Sequence, residues 1–248
     1  MEEHLIPSWL ERTELLIGKE ALLKLRHTRV LLVGLGGVGS FAGEFLVRSG
    51  IGHITIVDGD KVDPTNKNRQ LQAMDSTVGV SKMELLRSRF LDIHPSLDVM
   101  GFDHFMEPED MSHLIHQNKY DFILDCIDSL TPKITLIRLA REHKIKIISS
   151  MGAGGKTDPT KVKIADISDT KECKFAQSVR KRLKREGIRY NVLTVYSEEI
   201  QPDNALKMTD GTKYKKSYYG TISYMPALFG LHMASEVIRR TANLKIKK

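Results

Sequence analysis

The sequence predicts an α/β fold, a doubly wound and mainly parallel sheet with an integrated C-terminal α+β lobe. Short apolar runs rich in β-branched residues alternate with helical periodicity between positions 29 and 149. The first of these runs ends in a glycine cluster that opens a helix. Beyond Met151 the texture changes to scattered strands, a basic helix and a closing apolar helix.

Residues 1–28 read as an N-terminal helical arm. The alternating unit, 29–150, begins with a strand at 29–33 and a helix carrying Phe41, Phe45 and Leu46. A second strand at 53–57 ends at Asp58, and a helix at 81–93 follows, with Ser81 as its N-cap and Met83, Leu86, Phe90 and Ile93 on one face. The next elements are a strand at 97–102, a helix at 111–116 and a strand at 122–124 that ends at Asp125. A helix at 134–143, opened by Thr131 and Pro132, leads to a fifth strand at 145–149. In the lobe at 151–248, Gly152, Gly154 and Gly155 form a connector or a site wall. Strands at 162–167 and 191–196 flank a basic helix at 175–186, a polar loop fills 202–217, and a helix at 224–240 closes the chain. The three regions form one integrated domain.

Composition narrows the function classes. The chain has 248 residues, 41% of them hydrophobic, enough for a sizeable core. Its charged opening lacks the apolar stretch of a signal peptide, and no run approaches the roughly 20 apolar residues of a membrane helix. Its two cysteines, Cys126 and Cys173, suit a reducing cytoplasm and cannot build a four-thiolate zinc site. Cys126 reads as a buried small residue, and Cys173 as structural or as a reactive thiol. A net charge of +7 permits a polyanionic partner such as nucleic acid.

Gly34, Gly36, Gly37 and Gly39 form GxGxxG between a strand and a helix. Glycines let the chain turn tightly and bring N–H groups to a phosphate, on which the helix directs its positive end. Asp58 lies 19 residues after Gly39, where a carboxylate accepts from ribose hydroxyls. The context is Rossmann-like, and by itself it suits NAD as well as ATP. The next residues favour ATP. Asp58 and Asp60 are followed by Asn66, Arg69 and then Lys82, a polar cluster that a dehydrogenase has no evident need for. Breaking the α–β phosphate bond does need one, because charge develops on pyrophosphate. Arg69 offers a bidentate fork, Lys82 a point charge, and Asp128, past the fourth strand, a carboxylate suited to Mg²⁺.

These motifs are GLGGVGS, RSGIGHITIVDGDKVDPTNKNRQ, VGVSK and DCIDS. Together they resemble the adenylation domain of the ubiquitin-activating-like superfamily, from residue 12 to about residue 155. The resemblance implies ATP-dependent acyl-adenylate formation, usually in a homodimer. It implies that Asp58 binds ribose, that Asn66, Arg69 and Lys82 bind the phosphates, and that Asp128 binds Mg²⁺. It also implies that an N-terminal arginine, here Arg12, serves the partner subunit's triphosphate.

Members that activate small sulfur-carrier proteins carry two CxxC pairs, which this chain lacks. Its rear half (SSMGAGGKTDPTKVKIADISDT, SVRKRLKREGI, VYSEE and GTISYMPALFGLHMASEVI) resembles the tRNA threonylcarbamoyladenosine dehydratase branch. That resemblance implies adenylation of a carboxylate on tRNA, then ring closure from within the same side chain, which needs no enzyme thiol. Lys174, Arg180, Lys181, Lys184 and Arg185 are candidates for the phosphate backbone, and Tyr190, Tyr218 and Tyr219 for base stacking or for packing. A sulfurtransferase is a further candidate partner. The alternatives are adenylation of a sulfur-carrier protein, an NAD-dependent oxidoreductase and a non-catalytic nucleotide-binding scaffold.

Overall fold

A computed structural model describes residues 6–208 and 217–244. Its strands are β1 (Arg29–Val33), β2 (His53–Val57), β3 (Asp98–Phe102), β4 (Phe122–Asp125), β5 (Lys146–Ser150), β6 (Val162–Asp166) and β7 (Leu193–Ser197). They form one sheet in the order β3-β2-β1-β4-β5-β7-β6, parallel except for β6. Strand order reverses between β1 and β4, and the crevice beyond the carboxyl ends of those two strands is where such sheets bind ligands.

The alternating side chains of the strands explain the two layers. Val30, Leu32, Ile54, Ile56, Phe122 and Leu124 face one apolar core. Leu31, Val33, Val57 and Ile123 face the other. Helices α3 (Gly39–Arg48), α4 (Lys82–Ile93) and α8 (Tyr224–Thr241) cover the first face. Helices α5 (Pro108–Gln117), α6 (Leu130–Glu142) and α7 (Lys174–Arg185) cover the second. The arm folds as α1 (Glu11–Ile17) and α2 (Lys19–His27). Among the described residues, no helix is long and apolar enough to cross a membrane.

Two readings change. Helix α6 starts at Leu130, so Pro132 sits within its first turn, where its missing N–H has no intrahelical acceptor to serve. The segment expected as a polar loop contains β8 (Leu206–Met208), paired antiparallel with β9 (Ser217–Tyr219). Exposed edges on a short ribbon leave no apolar pattern for a sequence reading to find. Residues 209–216 of that segment lie outside the described residues.

Glu44 is buried on α3 and accepts from Arg48 Nε at 2.7 Å and from Arg89 Nε at 2.8 Å, tying α3 to α4. Burial pushes its carboxyl up, but the two guanidinium groups outweigh burial and hold it below its ordinary value. A carboxylate lowered by folding contributes stability above its unfolded value of about 4.3, and that contribution fades as pH falls through the lower folded value. Glu44→Gln is therefore expected to lower the denaturant midpoint near neutral pH by the equivalent of about 1–2 kcal/mol, the exposed arginines being partly screened. The gap from wild type should narrow at about pH 3. Equal gaps at both pH values contradict this account.

Candidate active site

The four glycines of the β1–α3 turn have different tasks. Gly34 has φ +90°, and a Cβ there would lie 2.9 Å from the Cys126 carbonyl oxygen. A Cβ on Gly39 would fall 1.8 Å from the Gly34 oxygen, so the turn closes only without one. On Gly37 it would meet Pro226 Cβ at 2.9 Å and the Arg69 carbonyl at 3.1 Å. Gly36 differs, because its nearest neighbour is Gln70 Nε2 at 3.8 Å. Three glycines thus serve packing, and Gly36 has room for a side chain at ordinary contact distance.

Asp58, at the end of β2, clamps this turn. Its Oδ2 accepts from Leu35 N–H at 2.6 Å, and its Oδ1 from Asp60 N–H at 2.8 Å. Burial pushes its carboxyl up, against the opposing pull of Lys82 and the two N–H donors. Lys82 is buried at the start of α4 and donates to Asp60 Oδ2 at 3.0 Å. Asn66 is buried too, and its Oδ1 accepts from Asp63 N–H at 3.1 Å in a reciprocal capping box. Asn66 therefore shapes the loop that carries Arg69.

Arg69 lies against Gly37 and donates from Nη1 to the Thr65 carbonyl at 2.9 Å and to Asn68 Oδ1 at 2.8 Å. Burial pulls its guanidinium down, and Asp128, Asp63 and Tyr218 act in the opposite direction. Asp128, exposed in the turn after β4, thus lies within electrostatic reach of Arg69 at the mouth of the glycine turn. Hydrogen bonds from Thr65 hold the Asp63 carboxyl below its ordinary value, and Lys82 and Arg69 add to this from within electrostatic reach. Gly34 to Gly39, Asp58, Asp60, Asn66, Arg69, Lys82 and Asp128 are therefore neighbours. Arg12 stands apart from them within one chain. It is exposed on α1, just after Leu10, which packs beside Gly50 at the end of the sheet opposite the glycine turn.

The model of the ThiF family matches residues 10–247. This chain belongs to the ThiF family. The tRNA threonylcarbamoyladenosine dehydratase of Bacillus subtilis is 41% identical over 234 residues, covering 92% of each chain. The enzyme of the same name from Escherichia coli is 34% identical, covering 94% of each. The crystal structure of E. coli tRNA N6-threonylcarbamoyladenosine dehydratase, TcdA, in complex with ATP superposes with a TM-score of 0.84 at 32% identity, covering 96% of this chain and 97% of that one.

This ThiF-family chain also brings together residues that sequence reasoning passed over. Lys133 and Asp125 are both fully buried and paired at 2.7 Å behind the Asp128 turn. Lys133 shares a helix face with Leu136, Ile137 and Ala140, all buried, and a lysine on an apolar face was the available signal. Lys156 is buried after the second glycine cluster and donates to the Ser197 and Glu199 carbonyls, burial pulling its ammonium down. Gln201 Nε2 donates to the Gly154 carbonyl at 2.7 Å, and Tyr219 packs on Gly154 and Gly155. Asn68 Nδ2 donates to the Thr221 carbonyl at 2.8 Å. The β8–β9 ribbon is thereby seated between the second glycine cluster and the Arg69 loop. Cys126 is half-buried with its thiol pushed up by burial and by Asp125, and Cys173 is a buried N-cap of α7, so neither is an exposed nucleophile.

The glycine roles separate experimentally. Gly39→Ala should lower the urea midpoint by the equivalent of about 2–3 kcal/mol through overpacking, and Gly36→Ala by less than about 0.5 kcal/mol. Equal losses overturn the division of tasks.

Proposed function

We propose that this protein adenylates the carboxylate of threonylcarbamoyladenosine in tRNA with ATP and closes that side chain into a ring, with net loss of water. The observation that carries this reading is that Arg69 and Asp128 lie within electrostatic reach of each other at the glycine turn, where Gly36 alone of the four glycines has room for a side chain, with Lys82 paired to Asp60 and within electrostatic reach of Asp58. The dehydratases named above, alike over more than nine-tenths of their length, support the same reading.

The Gly36 backbone and the start of α3 receive phosphate, and Asp58 meets the ribose. A substrate carboxylate oxygen attacks the α-phosphorus, and the bond to the bridging oxygen of pyrophosphate breaks. Arg69 and Lys82 neutralise the charge that gathers on the leaving pyrophosphate. Lys82 is preset by Asp60, and Arg69 by Thr65 and Asn68, so little reorganisation accompanies the reaction. A nucleophile within the same side chain then attacks the activated carbonyl carbon, and AMP leaves with its electron pair. Proximity makes an enzyme thiol unnecessary, in keeping with two cysteines placed away from such use.

A divalent cation fits the donor set. Among the described residues, no cluster of three metal-ligating side chains exists. Mg²⁺ commonly rests on one or two carboxylates plus the phosphates themselves, and Asp128 supplies such a carboxylate. Bound there, it would neutralise phosphate charge.

Lys174, Lys181, Lys184 and Arg185 are exposed along α7, which suits the tRNA backbone. Arg180 departs from that expectation, since it donates to the Thr170 carbonyl and hydroxyl within the fold. Tyr190 and Tyr218 are exposed and available to stack on a base, whereas Tyr219 packs on the glycine cluster. We place the enzyme in the cytoplasm, as a homodimer in which Arg12 reaches the partner subunit's triphosphate. A sulfurtransferase docking on it would meet no exposed thiol of this chain.

Incubation with ATP, Mg²⁺ and tRNA bearing the threonylcarbamoyl group should release pyrophosphate and lower the nucleoside mass by one water. Pyrophosphate exchange with a carrier protein, or absorbance change with a nicotinamide cofactor, would select a rival function. Arg69→Ala and Asp128→Ala should each lower the rate by about 100- to 1000-fold with the circular-dichroism melt retained. Gly36→Ala should weaken ATP binding through its added methyl group. Near-wild-type rates in the first two variants, with unchanged ATP affinity in Gly36→Ala, would refute the site.

A further inference from the structure

Asp125 and Lys133 form a fully buried ion pair that the proposed reaction leaves without a task. Asp125 Oδ2 accepts from Lys133 Nζ at 2.7 Å and from Ser149 Oγ at 2.6 Å. Lys133 Nζ also donates to Ser149 Oγ at 3.2 Å and to the Ser150 carbonyl at 3.0 Å. The remaining oxygen, Oδ1, accepts from the backbone N–H of Ile127 at 3.1 Å, and Ile127 is the residue before Asp128. On the other side of this turn, Cys126 N–H donates to the Val33 carbonyl at 2.9 Å, and the Cys126 carbonyl lies against Gly34.

Stability alone does not account for this pair. Removing two charges from water is expensive, and a well-packed apolar pair of similar volume is often as stable or more so. What an apolar pair lacks is an acceptor for the Ile127 N–H and a donor that reaches β5. The carboxylate at Asp125 sets the direction of the turn after β4. The ammonium of Lys133 joins that turn to the end of β5, from which the second glycine cluster continues.

We propose that the Asp125–Lys133–Ser149 unit is a positioning device that aims the Asp128 carboxylate at the phosphate-bound cation. The inference rests on Asp128 serving that cation. Partners behind a metal-binding carboxylate typically change metal affinity by 10- to 100-fold when removed.

The test uses the full chain and Mn²⁺ as the probe, with Mn²⁺–ATP binding read by electron paramagnetic resonance and ATP binding by calorimetry with and without the metal. Asp125→Leu combined with Lys133→Met replaces the pair by apolar side chains of similar length. We expect a melt close to wild type, metal-free ATP binding within about twofold, and Mn²⁺ affinity in the ternary complex lowered about tenfold or more. In an Asp128→Ala background the same pair of changes should produce no further loss of Mn²⁺ affinity, because there is no carboxylate left to aim. Ser149→Ala, a milder change, should shift Mn²⁺ affinity in the same direction and carries the test if the double variant does not fold. Unchanged Mn²⁺ affinity in the folded variants, or equal losses with and without Asp128, overturns the positioning role alone. A wild-type protein whose ATP binding ignores the metal overturns both this role and the task assigned to Asp128.

Discussion

Closure of the β1–α3 turn is the constraint from which the rest of the site follows. Gly39 places its α-carbon so near the Gly34 carbonyl that no side chain fits between them. Gly34 itself adopts a left-handed backbone angle against the Cys126 carbonyl. Strand β1 can then hand over to α3 within a few residues, and the positive end of that helix faces the crevice at the sheet's switch point. Asp58 locks the arrangement by accepting from Leu35 N–H.

The charged groups around the turn are held by partners within the chain. Lys82 is buried beside Asp60, Arg69 is tethered to Thr65 and Asn68, and Asn66 shapes the loop that carries Arg69 through its capping box. Such preset dipoles and charges are worth more in a partly buried cleft than flexible ones on a surface, because they need no rearrangement as charge develops. The same logic runs one layer deeper at Asp125 and Lys133, where buried charge supports a turn.

The second half of the chain is integrated with this machinery. Strand β7 pairs with β5, β6 folds back antiparallel on β7, and α8 packs on α3 with Gly230 against the Val38 carbonyl. The second glycine cluster accepts the β8–β9 ribbon through Gln201 and Tyr219. The crevice at the switch point thus acquires a wall from the rear lobe, and the exposed lysines of α7 lie on the same chain segment that follows that wall.

The sequence by itself determined the alternation of strands and helices and the glycine turn, and it nominated Asp58, Arg69, Lys82 and Asp128 as candidates, because each rests on local spacing or on a strand end. Apolar alternation over five residues and an N-cap such as Ser81 act between near neighbours, so they are written in the chain. Only the tertiary structure decided that Asn66 serves its own loop, that Arg180 is spent on Thr170, and that 206–208 pairs with 217–219. It alone joined Lys133 of α6 to Asp125 of β4 and to Ser149 and Ser150 of β5. These choices depend on contacts between segments far apart in sequence, and the free energy of burying or pairing a polar group is set by those contacts, which no local pattern records.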